Sequence, residues 1–195
     1  MTSPDLDNPF ASFDPPVTIP VLPETDVSYA VHVSSVGRLL LASAGGHLVM
    51  CAYAVDESAD EAHLRRVAGA VSPRILRHPS RLDEARRQVD DYLEGKRRVF
   101  DLAAEPTVAT PFQREVLRGL ARTAYGSTTT YGALAAAIDH PGAARAVGTA
   151  LGANPLCLVL PCHRVLPSTG RVGGHVGGYA GGPGAKAALL ELEAS

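Results

Sequence analysis

Two adjacent residues late in the chain, Cys162 and His163, carry the side chains best suited to covalent chemistry. An imidazole near a thiol can remove its proton and leave a thiolate, which is the reactive nucleophile. Adjacent residues do not necessarily face each other, so a buried cysteine beside a surface histidine is the alternative interpretation. Cys51 and Cys157 lie in apolar segments and are interpreted as small core residues. Cys162 is therefore the candidate nucleophile.

The residues upstream of this pair predict the elements that position it. The apolar run over 156–160 predicts a buried segment that leads directly into the Cys-His pair. Thr110 as an N-cap, with Gln113 as its capping-box partner, predicts the start of a helix. Two shorter helices, over 131–138 and over about 142–153, are separated by a Pro-containing turn. Two short helices joined in this way predict a helix-turn-helix.

The helix over 142–153 consists almost entirely of Gly, Ala and Thr around one long cationic side chain, Arg145. Small residues let a helix approach another surface closely. One interpretation is a buried helix packed against a neighbour. The other is a helix that enters a DNA groove with Arg145 as its probe. Composition alone leaves both open.

The first half of the chain has a different organisation. Residues 1–26 are rich in proline and show neither helical nor strand periodicity, which predicts a flexible arm. Residues 27–55 predict strands separated by Gly-containing turns. Residues 61–70 and 80–95 have helical spacing of apolar residues. The chain is therefore expected to belong to the α+β class.

A connector over 100–109 contains proline and loses both periodicities, which predicts a boundary between domains at 27–105 and 106–195. The charge balance also changes there. Residues 1–108 hold 11 Lys+Arg and 16 Asp+Glu, whereas residues 109–195 hold 7 and 4. The second half is thus modestly basic although the whole chain has a formal charge of -2.

Composition excludes several classes of protein. Three cysteines in 195 residues argue against a disulfide scaffold and a cysteine-rich zinc site, so no metal and no cofactor are expected. No apolar run is long enough for a membrane span, and the first residues do not resemble a signal peptide. We therefore expect no membrane association and a cytoplasmic location.

A series of short motifs occurs in one order between residues 110 and 193. The motifs are Thr110-Pro-Phe-Gln, Tyr125-Gly, Thr130-Tyr131, Ala143-Ala-Arg-Ala-Val-Gly148, Asn154-Pro155, Pro161-Cys-His-Arg-Val165, Gly178-Tyr-Ala-Gly-Gly182, Lys186 and Leu189-Leu-Glu-Leu-Glu193. In these motifs the chain resembles the O6-alkylguanine-DNA alkyltransferase family, also called methylated-DNA-protein-cysteine methyltransferases.

The resemblance implies a set of catalytic roles. Cys162 would accept an alkyl group irreversibly from O6-alkylguanine, and from O4-alkylthymine, in DNA. His163 would act as general base through a water molecule, and Glu193 would orient it. Asn154 would hold the turn that presents the cysteine. Tyr131 would donate a hydrogen bond to the ring of the flipped base.

The resemblance also implies how DNA is bound. Arg145 would fill the space of a flipped nucleotide, because base-flipping proteins must replace the extruded base. The partner would be double-stranded DNA approached from the minor groove, by a monomer. Contacts to DNA are assigned to Arg145, Thr129, Thr130, Ala144 and Gly148, and the base pocket to Pro161, Val165, Tyr179, Ala180 and Lys186.

The implied fold has a small N-terminal αβ domain with an antiparallel, RNase H-like sheet and a mainly helical C-terminal domain. That second domain would contain the helix-turn-helix and the active-site cysteine. Several positions depart from the family pattern: Leu117, Ala124, Asp139 and Ala180 replace its common residues, and the Gly-rich loop over 170–184 is longer. The alkyl-group preference of the chain is therefore left open.

Two other functions remain open. One is a protein that binds alkylated DNA without alkyl transfer and recruits other repair factors. Relatives of that kind lack the acceptor cysteine, so the presence of Cys162 argues against this function. A Cys/His enzyme on the same fold would act on a small molecule, with turnover beyond one equivalent and indifference to DNA.

Overall fold

The computed structural model describes residues 26–170 and 177–195. Nearly all of the predicted arm over 1–26 and the part of the Gly-rich loop that contains His175 lie outside these residues. The secondary-structure elements are β1 (Val27–Ser34), β2 (Gly37–Ala44), β3 (His47–Tyr53), α1 (Glu57–Ala70), β4 (Ile75–Arg77), α2 (Asp83–Leu93), α3 (Pro111–Leu120), β5 (Thr129–Thr130), α4 (Tyr131–Ala137), α5 (Ala144–Gly152), β6 (Val165–Leu166) and α6 (Gly182–Glu193), with short 3-10 turns at Pro79–Leu82 and Cys162–Arg164.

The first half forms a four-stranded sheet in the order β3-β2-β1-β4. β1, β2 and β3 pair antiparallel, and Gly45 and Gly46 take positive φ angles of 54° and 82° at the turn between β2 and β3. Such angles match the two-residue turns that suit the twist of a hairpin. The prediction of an antiparallel sheet was wrong at one edge, because β4 pairs parallel to β1. With only three residues, β4 is too short to show strand periodicity in the sequence.

Helices cover both faces of this sheet. Leu39 and Leu41 on β2 pack in one buried cluster with Val89 of α2. Ala42, the next residue along β2, packs in another cluster with Val67 of α1. Successive side chains of a strand point to opposite faces, so the continuous apolar run of β2 fills both layers. Of the apolar stripe predicted over 80–95, Leu82, Ala85 and Val89 are buried, and Leu93 packs partly buried against the same cluster.

The second half is mainly helical, as predicted. Thr110 caps α3 through a complete capping box with Gln113, which confirms the predicted start of that helix. α3, α4 and α5 surround one buried cluster that also contains Cys157 and Cys162. The mixed α+β class is therefore confirmed.

The segment before Cys162 joins the edge of the sheet. The Cys51 N–H of β3 donates to the Pro155 carbonyl at 2.7 Å, and the Cys157 N–H donates to the Cys51 carbonyl at 2.7 Å. The connector also runs beside β3, where the Leu48 N–H donates to the Ala103 carbonyl at 2.7 Å. These bonds fix the connector and the segment before Cys162 to the sheet.

No helix within residues 26–170 and 177–195 is long and apolar enough to cross a membrane.

Candidate active site

Cys162 lies in a short 3-10 turn immediately after Pro161, with only 6% of its surface exposed. It faces a cavity of about 360 Å³. This cavity brings together residues from α4, α5, the Cys162 turn and the loop before α6. Its lining consists of Tyr131, Gly148, Leu151, Gly152, Cys162, Gly178, Tyr179 and Ala180.

Asn154 fixes the chain around Cys162. Its Nδ2 donates to the Leu160 carbonyl at 2.8 Å and to Cys162 Sγ at 3.2 Å. Its Oδ1 accepts from the Leu156 N–H at 3.0 Å. One buried side chain therefore connects both ends of the segment that presents the thiol.

A strained turn lies inside this segment. Leu158 is 1% exposed and takes a φ of 71°, and the Val159 N–H donates to the Cys157 carbonyl at 2.9 Å across it. A three-residue γ-turn with positive φ is rare and costs a non-glycine residue about 1–3 kcal/mol. Leu158 is held there by its burial and by the surrounding hydrogen bonds.

His163 and Glu193 form a fully buried pair. His163 Nε2 lies 2.7 Å from Glu193 Oε1, and the imidazole is 0% exposed. Burial lowers the pKa of His163 despite the opposing effect of Glu193, so the ring is neutral near pH 7. Because a carboxylate only accepts, Nε2 carries the proton and Nδ1 is the acceptor. Nδ1 is buried and has no hydrogen-bond partner among the residues that the structure describes.

Three groups besides His163 donate hydrogen bonds to the Glu193 carboxylate. Arg164 Nε donates to Glu193 Oε2 at 2.8 Å, the Gly126 N–H donates to the same oxygen at 3.0 Å, and the Tyr92 hydroxyl donates to Oε1. Burial opposes ionisation, but the hydrogen bonds from His163, Arg164 and Tyr92 prevail and lower the pKa of Glu193 to about 2. The carboxylate therefore remains ionised around pH 7.

Arg164 and Tyr92 were not predicted as site residues. Arg164 lies within the Pro161–Val165 motif, so its neighbours were a signal that could have found it. Tyr92 comes from α2 in the first half, 101 residues from its partner Glu193. No local pattern connects residues so far apart in sequence.

The Cys162 thiol is poised to ionise. A hydrogen bond with the Cys157 side chain makes the largest contribution to lowering the pKa of Cys162, and Asn154 and Lys186 lower it further. Burial opposes them. The same interaction, with burial, raises the pKa of Cys157 well above its ordinary value. Cys162 is thus the more readily ionised thiol of the two.

Lys186, near the start of α6, is completely buried. Its Nζ donates to the Val165 carbonyl at 2.7 Å and lies 6.0 Å from the centre of the Tyr131 ring. Burial lowers the pKa of Lys186 and raises the pKa of Tyr131, whose hydroxyl therefore stays protonated. Of the two, Tyr131 lines the cavity.

Tyr179 and Ala180 belong to the loop that covers the cavity. The Tyr179 ring meets the Tyr53 ring edge-on, with 5.3 Å between centres. A Cβ at Gly181 would lie 2.6 Å from the Tyr53 ring, so only glycine fits there without displacement. Tyr53, from β3, was not predicted as a site residue, because nothing in a strand sequence shows which loop its end will contact.

Four of the five predicted DNA contacts, Thr130, Ala144, Arg145 and Gly148, line a groove beside the cavity. The groove, of about 700 Å³, shares Tyr131 and Gly148 with the Cys162 cavity, so the two adjoin. Arg145 is exposed, and its guanidinium forms no hydrogen bond or ion pair with another residue of the described chain. The Thr130 hydroxyl caps α4 by accepting from the Ala133 N–H at 3.1 Å. The groove is lined by Thr130, Tyr131, Gly132, Ala144, Arg145, Gly148, Thr149, Pro167 and Ser168.

Thr129 is not part of that lining. It lies in β5, where it pairs with Val165.

The described residues contain no group of three His, Cys, Asp or Glu side chains that could hold a metal ion.

Comparisons with known proteins give the family. Residues 111–195 match the family profile described as 6-O-methylguanine DNA methyltransferase, DNA binding domain. A methylated-DNA–protein-cysteine methyltransferase of Salmonella typhimurium is 50% identical over 103 residues, which cover 53% of this chain and 58% of that protein's length. A protein of the same name from Methanosarcina acetivorans is 42% identical over 112 residues, covering 57% of this chain and 69% of the relative.

Solved structures agree over a longer stretch. The crystal structure of Mycobacterium tuberculosis OGT in complex with DNA superposes with a TM-score of 0.71 at 35% identity, covering 86% of this chain and 92% of that one. The O6-methylguanine-DNA methyltransferase of Pyrococcus kodakaraensis gives a TM-score of 0.62 at 27% identity, covering 87% and 99%. The chain therefore belongs to the methylated-DNA–protein-cysteine methyltransferase family.

Proposed function

We propose that this chain repairs DNA by moving an alkyl group from the O6 atom of guanine to Cys162 Sγ. One observation carries the proposal: an ionisable thiol lies at a cavity, backed by a buried neutral imidazole with a free acceptor nitrogen. The lowered pKa of Cys162 supports a nucleophile over an inert core residue.

In the proposed reaction, the Cys162 thiolate attacks the alkyl carbon. The S–C bond forms as the C–O bond breaks, and the electron pair of that bond leaves with the guanine. His163 Nδ1 accepts the proton of the thiol through a water molecule, since that nitrogen is buried without a partner in the described part of the chain. Glu193 keeps the proton on Nε2 and thereby keeps Nδ1 free to accept.

The leaving guanine must gain a proton or a hydrogen bond as its charge develops. Tyr131, whose hydroxyl stays protonated, lines the cavity on the α4 side and is the proposed donor to the base ring. The Lys186 ammonium lies 6.0 Å from the centre of the Tyr131 ring. Pro161 and Val165 are the proposed pocket residues from the motif around the cysteine, and Tyr179 and Ala180 line the cavity from the loop before α6.

The alkylated base must leave the duplex to reach a thiol that is 6% exposed. We propose that α4 and α5 act as a helix-turn-helix and approach the minor groove, with Arg145 filling the space of the flipped nucleotide. The exposed, unengaged guanidinium at the mouth of the groove supports that role. Ala144, Gly148, Thr129 and Thr130 are the proposed neighbours of the DNA backbone.

The resulting thioether is chemically stable, so each molecule is expected to react once. We further propose that O4-alkylthymine is accepted, that the chain acts as a cytoplasmic monomer without a cofactor, and that the N-terminal sheet is of the RNase H type. The division into domains at 27–105 and 106–195 is likewise proposed.

Stoichiometry tests the proposal. Excess duplex containing O6-methylguanine is incubated with the protein, and repaired guanine is counted per protein molecule. We expect a plateau at one equivalent. Lesion binding without repair would favour a recognition protein, and turnover of a small molecule without DNA would favour a Cys/His enzyme. Either result would refute the proposed function.

A further inference from the structure

Tyr53, the last residue of β3, belongs to the first half of the chain but reaches the loop that covers the Cys162 cavity. It packs partly buried against two hydrophobic clusters, one that contains residues of β2 and α2 and one that contains Cys162. The proposed function gives Tyr53 no role.

The backbone of Tyr53 is held from two sides. Tyr53 pairs with Leu39 of β2 in the sheet, and its carbonyl accepts from His63 Nε2 of α1 at 3.1 Å. Because the backbone is fixed in this way, the ring loses little further freedom when it packs against the loop.

The Tyr53 ring occupies the space in which a side chain of residue 181 would lie. Gly181 has a φ of -82°, which is ordinary for any residue, so its own backbone conformation does not require glycine. An added Cβ would lie 2.6 Å from the Tyr53 ring. The covering loop therefore approaches Tyr53 more closely than any residue with a side chain would allow.

Tyr179, two residues before Gly181, faces both Tyr53 and the proposed catalytic groups. Its ring centre lies 5.3 Å from that of Tyr53 and 6.3 Å from that of His163, and both pairs are edge-on. Its side chain also lines the cavity. Edge-on aromatic pairs are stabilised beyond the area that they bury, so the Tyr53 ring favours this one placement of Tyr179.

We propose that Tyr53 is a positioning residue for the flipped base: its ring holds Tyr179 at the cavity, so the sheet of the first half determines how closely the pocket surrounds the base. The inference deepens the proposed function and rests on this cavity being the base pocket. The Tyr53 hydroxyl is buried without a hydrogen-bond partner among the described residues, which assigns the role to the ring.

The test measures the affinity of the pocket for free O6-methylguanine base by NMR titration in a Cys162→Ala background, where no alkyl transfer can occur. Tyr53→Leu removes the aromatic ring, and Tyr53→Phe retains it. Tyr29→Leu is the matched control, because Tyr29 is also a partly buried tyrosine of the same sheet but packs against the separate cluster that contains Val67.

We expect Tyr53→Leu to raise the dissociation constant of the base about three- to tenfold, the range that corresponds to the loss of one aromatic pair. Tyr53→Phe and Tyr29→Leu should stay within about twofold of the background protein. With Cys162 restored and the base saturating, the transfer rate of Tyr53→Leu should stay within about twofold of the native rate, because Tyr53 contacts none of the proposed reacting groups. A general loss of folded protein would instead lower that rate without changing the dissociation constant.

Hydrogen exchange follows the loop without any ligand. The Gly182 N–H donates to the Tyr179 carbonyl at 2.9 Å, so its exchange reports how often this turn opens. Exchange of the Gly182 N–H should be at least about threefold faster in Tyr53→Leu than in the native chain, and unchanged in Tyr53→Phe and Tyr29→Leu.

An unchanged dissociation constant or unchanged Gly182 exchange in Tyr53→Leu would overturn the inference. An equal effect of Tyr53→Phe or of Tyr29→Leu would also overturn it, as would the absence of any binding of the base to the Cys162→Ala protein. If the affinities and exchange rates change as expected while the native chain does not repair O6-methylguanine, the role of Tyr53 stands and the proposed function fails.

Discussion

Glu193 is the group whose removal has the most predictable effect on stability. Its carboxylate lies buried between His163, Arg164 and Tyr92. Its pKa of about 2 in the folded chain compares with an ordinary value of 4.5. A difference of this size corresponds to about 3 kcal/mol of folding free energy at pH 7. Glu193→Gln should therefore lower the free energy of unfolding by about 3 kcal/mol, within the range for breaking a buried ion pair.

The effect must also depend on pH in one direction. A carboxylate whose pKa is lowered by folding stabilises the protein above its unfolded pKa, and this contribution is lost as the pH falls through the folded value. The difference between the native chain and Glu193→Gln should be constant above pH 4.5 and shrink towards pH 2. The stabilising interactions of the native carboxylate disappear when it is protonated.

Urea unfolding followed by circular dichroism at several pH values measures this difference. Glu191→Gln is the matched control, because Glu191 is an exposed carboxylate on the same helix. Its free energy of unfolding should stay within about 0.5 kcal/mol of the native value. A destabilisation by Glu193→Gln that is below about 1 kcal/mol at pH 7, or that does not diminish in acid, would refute the reasoning.

Three further substitutions test separate parts of the site. Cys162→Ala should abolish alkyl transfer while preserving binding to O6-methylguanine duplex in a gel-shift assay, and loss of both would contradict a role confined to chemistry. Arg145→Ala should slow transfer from duplex about tenfold, or about 1.4 kcal/mol, but leave transfer from a free alkylated base unchanged, since only the duplex requires flipping. Equal slowing on both substrates would remove its proposed role. Gly181→Ala should force the Tyr53 ring or the covering loop to move and cost about 1–3 kcal/mol of stability. Thermal unfolding measures this loss of stability. Gly184→Ala is the matched control and should lower the stability less, because the space around its added methyl group is open.

Local patterns allowed much of the fold to be predicted from the sequence. The capping box at Thr110 and the apolar stripe of α2 involve residues within a few positions of each other, so the sequence contains the whole signal. The parallel edge strand β4 was missed for the opposite reason. It has three residues, and its pairing with β1 depends on the chain crossing over through α1.

The candidate site could be predicted only as far as its motifs reach. Cys162, His163 and Asn154 lie close together in sequence and meet in space. The contacts from Tyr92 and Tyr53 come from another part of the chain, across tertiary packing that no periodicity reveals. Composition led to the interpretation of Cys157 as an ordinary core residue. Its burial is confirmed, and its thiol donates to the Asn154 backbone carbonyl at 3.6 Å.

Peptide mapping by mass spectrometry, after reaction with one equivalent of duplex containing O6-methylguanine, tests the central claim most directly. The account predicts that the peptide containing Cys162 gains the mass of one methylene group and that the peptide containing Cys51 does not. Cys157 and Cys162 are close in sequence, so fragmentation of their shared peptide must assign the methyl group to Cys162. An unchanged mass in folded protein, or a methyl group on either other cysteine, would contradict the claim.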